Sequence, residues 1–170
     1  MDENSFFGNL IATFAGAFLA FLLDRIAFRS DTIRKRKDDK TKLKIALLSI
    51  AKSIEYNKNH YISLSDTLKV DSIKVVLPTD TFTWDAYKGD VFNLLKDISL
   101  RNDLIYYFLV AATLKYLSDN YYMLFTQKDR FSTPDKELKE LRTNVKMYTF
   151  EILSLGDSLF MKLKRKISEL

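Results

Sequence analysis

A chain of 170 residues with a formal net charge of +5 can build one compact domain, and once an apolar N-terminal run is set aside it is too short for two. Apolar residues make up 47% and charged residues 29%, the balance of a folded protein, while the lack of Cys excludes disulfides, thiolate metal centres, iron–sulfur clusters and a cysteine nucleophile. A single His leaves little for histidine-based metal or acid–base chemistry, and 4 Gly with 2 Pro exclude a turn-rich β-fold, so the predicted class is all-α.

The first element is an uncharged run of 18 residues from Phe6 to Leu23, FFGNLIATFAGAFLAFLL, of which ten are Phe, Leu or Ile. At about 1.5 Å per residue it covers roughly 27 Å, close to the hydrocarbon thickness of a bilayer. Asp2 and Glu3 precede the run where a cleaved signal peptide would carry basic residues, so the pattern predicts a transmembrane helix over residues 1–28. Gly8, Ala12, Gly16 and Ala20 recur every four residues and form a smooth stripe suited to close helix association in lipid, and Asp24 continues the series. The expected partners along this segment are membrane lipids and further copies of the chain.

Residues 29–44 read as a basic juxtamembrane segment. Between residues 24 and 44 nine Lys or Arg stand against four acids, so the positive charge of the whole chain is concentrated here. By the positive-inside rule the N-terminus lies outside and the rest of the chain lies in the cytoplasm. Anionic headgroups account for such a segment without nucleic acid, and no DNA is expected as a partner.

Residues 45–170 read as a cytoplasmic antiparallel helical bundle. Leu43, Leu47, Ile50, Ile54, Asn57, Tyr61, Leu64 and Leu68 alternate steps of four and three, the spacing of an apolar seam, on a helix predicted to end near residue 65. Asn57 is its one polar position and is expected to fix register. A connection over 66–80 follows, with Ile73, Val75 and Val76 extended before Pro78. Asp80 or Thr81 is the expected N-cap of a short helix carrying Trp84, Tyr87, Val91, Leu94 and Ile98. Tyr107, Val110, Leu114, Leu117, Tyr121 and Leu124 mark the next helix. After a loop over 129–133, Thr133 and Pro134 open a last helix with Leu138, Leu141, Val145, Tyr148, Ile152, Leu155 and Leu159 as its seam.

Catalytic patterns are absent from this layout. Glycines at 8, 16, 89 and 156 cannot form a phosphate-cradling loop, His60 stands on a polar helix face, and Asp135, Glu137 and Lys139 suit a first helical turn better than a nuclease set. No enzyme, no cofactor and no metal site is expected. Two groups remain for binding. Lys136, Lys139, Arg142 and Lys146 line a stripe on the last helix that could hold a phosphate-rich ligand or be a solvated face. Trp84 and Tyr87, one turn apart, could offer a base a stacking platform or anchor the core.

The stretch PTDTFTWDAYKG from Pro78 to Gly89, set between a basic heptad helix and a Leu- and Tyr-rich helix and downstream of one membrane span, resembles a group of small single-pass bacterial membrane proteins with a cytoplasmic helical domain. Some of these are membrane effectors of phage defence, including the cyclic-oligoadenylate-responsive membrane effector of type III CRISPR systems. The resemblance implies a bacterial inner-membrane location and a non-enzymatic oligomeric effector whose cytoplasmic domain binds a phosphate-rich ligand such as a cyclic oligonucleotide and alters membrane integrity. The alternative from the residues alone is a membrane-tethered adaptor or scaffold for a protein partner.

Overall fold

The computed structural model describes the backbone of residues 3–69, 79–126 and 135–170, and the side chains of residues 14–66, 79–126 and 135–170. Among them the regular elements are four helices and no strand: α1 (Glu3–Lys69), α2 (Phe82–Leu94), α3 (Ile98–Thr126) and α4 (Asp135–Ser168). The chain divides into two units, Met1–Thr41 and Lys42–Leu170. Residues 29–44, the basic juxtamembrane segment of the sequence reading, are helical throughout and lie within α1.

In the first unit the described side chains are almost all exposed. Phe14, Phe18, Leu19, Phe21, Leu22, Leu23, Ile26 and Phe28 all face outward, and Arg25 lies over the Phe21 ring at 6.0 Å. Among the described residues no helix is long and apolar enough to cross a membrane. The first part of the predicted span, residues 6–13 with Gly8 and Ala12, lies outside the residues whose side chains are described.

The second unit has its own core, built on the seam expected from the sequence. Leu43, Leu47, Ile50, Ile54, Asn57, Tyr61 and Leu64 are all buried, together with Ala46, Ala51 and Ser53 beside them. Each large aliphatic side chain taken from water here contributes about 1.5–3 kcal/mol, which is what holds this part of α1 to its neighbours. The helix runs to Lys69, past its predicted end near 65. The side chain of Leu68 is not among those described, and the extended stretch 73–76, Pro78, the loop 129–133 and the Thr133–Pro134 helix start lie outside the described residues.

The α2–α3 boundary departs from the sequence reading. The seam Trp84, Tyr87, Val91, Leu94, Ile98 was expected on one short helix, but α2 stops at Leu94, with Leu95 extended and its N–H bonded to the Val91 carbonyl at 3.0 Å. Leu95 is buried and Ile98 exposed. Asp97 forces the restart: its carboxylate accepts the Leu100 N–H at 3.0 Å, an N-cap that opens α3. Arg101 reaches back to the Phe92 carbonyl at 3.1 Å and ties the two helices across the break.

Helices α3 and α4 pack antiparallel, with Asp103 near the start of α3 paired to Lys162 near the end of α4, and Tyr106 and Tyr107 further along α3 meeting the earlier Glu151 and Gly156. Leu100, Leu104, Tyr107, Phe108, Val110, Ala111, Leu114 and Tyr121 fill the α3 side, and Leu138, Val145, Ile152, Leu159 and Leu163 the α4 side. Helix α1 joins them where Ile54 approaches the same Gly156 and where Lys58 pairs with Asp157.

Candidate functional site

The most constrained polar group in the bundle joins α1 to the start of α2. Asn57 lies fully buried, and its amide spans the backbone of residue 80: its Nδ2 donates to the Asp80 carbonyl at 2.9 Å and its Oδ1 accepts the Asp80 N–H at 2.7 Å. Ser53 donates to the same carbonyl at 3.3 Å. The Asn57 amide, expected to fix register between packed helices, is bonded instead to the backbone of residue 80 ahead of α2. Thr81 occupies the N-cap position of α2 without a side-chain bond. Capping falls to Asp80, whose carboxylate accepts the Thr83 N–H at 3.1 Å and the Thr83 hydroxyl at 2.6 Å.

Burial works to raise the Asp80 carboxyl, but hydrogen bonding, chiefly from the Thr83 hydroxyl and N–H, outweighs it and holds the group below its ordinary value. A depressed acid stabilises the fold above the ordinary carboxylate range and loses that contribution as pH falls through its folded value. Asp80→Ala should therefore cost about 1 kcal/mol near neutral pH, as lost N-caps do, and less once the parent carboxyl is protonated. Chemical melts from pH 7 to pH 2 check this: the difference between parent and variant must shrink with acid. Nearby, burial pushes the Tyr61 phenol up to about 12, reinforced by the Asp80 charge, and burial also raises Tyr107. Both rings stay neutral in the fold, so stability should fall as pH rises beyond the ordinary phenol value near 10.

The residues singled out for binding fall into separate places. Trp84 is half-buried, stacked on Phe108 with ring centroids 5.1 Å apart and planes at 12°, and edge-on to Phe92 at 6.1 Å. Tyr87 is also packed against the core. One face of the indole is covered by the buried Phe108 ring, the kind of contact that ties α2 to α3. On α4, Lys136, Lys139 and Lys146 are exposed, whereas Arg142 is half-buried on the side nearer the core. His60 is half-buried and edge-on to Tyr56 at 4.3 Å. A Cβ added at Gly16 would point into open space, and Ala20, one turn on, is exposed.

A second group of cations was not singled out in the sequence. A cleft of about 310 Å³ is lined by Asp97, Ser99 and Leu100 at the start of α3 and by Lys162, Arg165, Lys166 and Glu169 at the end of α4. Its charges are largely matched: Lys162 pairs with Asp103 at 2.6 Å, and Glu169 receives Lys166 at 3.0 Å and Arg165 at 3.5 Å. The signal for it was present in the run Lys162-Leu163-Lys164-Arg165-Lys166. These pairs are solvent-exposed and individually weak, so an incoming anion competes with them at small cost.

Comparison with known proteins returns no matching family model, no matching curated protein and no matching solved structure.

Proposed function

We propose that this chain is a membrane-anchored, non-catalytic effector whose helical bundle binds a phosphate-rich ligand, such as a cyclic oligonucleotide, and alters membrane integrity in antiviral defence. The anchor is the apolar part of α1 with its basic flank on the cytoplasmic side, and copies associate along Gly8, Ala12, Gly16 and Ala20. The observation that carries the reading is the outward display of eight large apolar side chains between Phe14 and Phe28, which a hydrocarbon environment would cover and water would not. The basic balance of residues 24–44 supports the orientation, and the exposed Lys136, Lys139 and Lys146 supply the anion-binding surface. A ligand acts on such a protein only through different affinity for two arrangements, and α1 contributes residues to both units through which a change could pass.

The test is a thermal-shift screen of the full chain in detergent against cyclic di- and oligonucleotides. A ligand at a hundredfold excess over its Kd stabilises by about 2.7 kcal/mol, a shift that such a screen resolves. A flat response to the whole series would overturn ligand binding and leave the tethered-adaptor reading. With a ligand in hand, reversing Lys139 and Lys146 together to Glu should lower affinity by at least about tenfold, or ~1.4 kcal/mol, with melting unchanged. These two exposed sites are better probes than Arg142, whose half-burial couples affinity to folding. Loss of affinity in Lys166→Glu alone would instead place the ligand in the cleft between the start of α3 and the end of α4.

The small-residue stripe makes its own prediction. Gly16→Leu fills the open space beside the backbone and should weaken association, whereas Phe14→Leu should be nearly neutral. A detergent crosslinking ladder identical in both variants and the parent would show that the stripe is compositional only.

A further inference from the structure

Three cations gather around a cavity where the end of α4 lies beside the start of α3. Lys162, Arg165 and Lys166 line the cleft of about 310 Å³ together with Ser99, which stands in the first turn of α3. Two of them share one carboxylate: Glu169 accepts Arg165 Nε on Oε1 at 3.5 Å and Lys166 Nζ on Oε2 at 3.0 Å. The two head groups are thus already spaced to hold a single anion through two of its oxygens. Glu169 follows the end of α4 at Ser168 and is exposed, so its contacts are of the weak kind that a competing anion displaces. The Ser99 hydroxyl is exposed as well and makes no hydrogen bond among the described residues. Asp97, the other acid of the lining, is committed to capping the Leu100 N–H at 3.0 Å.

We infer that this cleft binds a terminal phosphate group, and that the Glu169 carboxylate fills the phosphate position until the ligand arrives. A terminal phosphate presents three strong acceptor oxygens and a charge of roughly −1.5 to −2 at neutral pH, against two oxygens and a single charge for Glu169. Two of its oxygens replace the carboxylate on Arg165 and Lys166, and the third is left for the Ser99 hydroxyl across the cleft. Lys162 keeps its pairing with Asp103 at 2.6 Å. A phosphodiester, as in a lipid headgroup, has one charge and two free oxygens, so it only equals Glu169 and gains no advantage over it. The cleft lies at the small end of the range of ligand pockets, which suits a phosphomonoester with a small substituent and is too small to enclose a cyclic oligonucleotide. The site is separate from the exposed surface of Lys136, Lys139 and Lys146 and does not rest on the effector reading.

The test is a phosphorus NMR titration of the full chain in maltoside detergent with inorganic phosphate, the ionic strength being held constant with chloride. The parent should bind phosphate, and Glu169→Gln should bind it at least about threefold more tightly because the competing carboxylate is gone. Arg165→Gln should weaken binding by about tenfold, and with its side chain 85% exposed the loss leaves the fold intact. Lys52→Gln, an exposed change on α1, should leave the affinity where it was. Glycerophosphoglycerol, a soluble lipid-headgroup diester, should bind at least about tenfold more weakly than phosphate. No binding in either the parent or Glu169→Gln, equal affinity in those two, or full affinity in Arg165→Gln would each overturn the inference. So would a loss in Lys52→Gln as large as that in Arg165→Gln, which would mark a response to overall charge. Diester binding as tight as phosphate would assign the cleft to lipid headgroups, and loss of phosphate binding in Lys139→Gln with Lys146→Gln but not in Arg165→Gln would place the anion on the α4 stripe; either result overturns the inference too.

Discussion

Asn57→Leu should lower the melting temperature by about 10 °C, corresponding to roughly 3 kcal/mol. The leucine is close in size and apolar, and the site is fully buried, so a purely hydrophobic account would expect no loss or a gain. The loss arises because the Asn57 amide satisfies both the N–H and the carbonyl of the half-buried residue 80, and removing it leaves the N–H without its partner and the carbonyl with only the long Ser53 bond. Each buried polar group left unpaired costs about 1–3 kcal/mol. Ser53→Ala should cost less than about 1 kcal/mol, since its bond to the Asp80 carbonyl is long at 3.3 Å and Asn57 remains. Thermal or denaturant melts of the two variants check the ordering; an Asn57→Leu protein as stable as the parent would show that water or another group takes over the Asp80 backbone.

Gly156 should respond with opposite signs to two substitutions. It is buried on α4 where α1 and α3 meet, and a Cβ placed there would lie 3.4 Å from a Tyr107 ring carbon and 3.7 Å from an Ile54 methyl. Those are ordinary contacts, so Gly156→Ala fits and gains up to about 1 kcal/mol of helix propensity. Gly156→Leu must place three further carbons into the same space and should cost about 3 kcal/mol through displaced neighbours. Equal stability of the alanine and leucine variants would show that α4 stands off from α1 and α3 by more than the structure places it.

How far these features could be read beforehand depends on what sets each of them. The seam from Leu43 to Leu64 was fully legible because one face of a long regular helix is buried, and burial then repeats with the helix period. The α2–α3 break was missed because Leu94, Leu95 and Ile98 continue an apolar pattern without Gly or Pro, and the decisive signal is one carboxylate, Asp97, capping Leu100. In α3 the two apolar faces blur the period, so Leu104, Phe108 and Ala111 went unremarked in the core while Leu117 and Leu124, placed in it, are half-buried. Partners distant in sequence were the hardest to see. Nothing local to Trp84 says that Phe108 will stack on it, and nothing local to Asn57 says that it will hold the backbone of residue 80. The exposed lysines of α4 were legible as a stripe, whereas the half-burial of Arg142 within it depends on how the helix rolls against the core.

Membrane anchorage through the apolar start of α1 underlies both the proposed orientation and the proposed effector role, and one fractionation tests it. The full chain and a chain beginning at residue 29 are expressed in bacteria, and their membranes are extracted with alkaline carbonate, which strips proteins held by charge alone and leaves spanning helices in place. The full chain should stay in the membrane pellet and the shortened chain should move to the supernatant. Release of the full chain into the supernatant alongside the shortened one would contradict a spanning helix over residues 6–23.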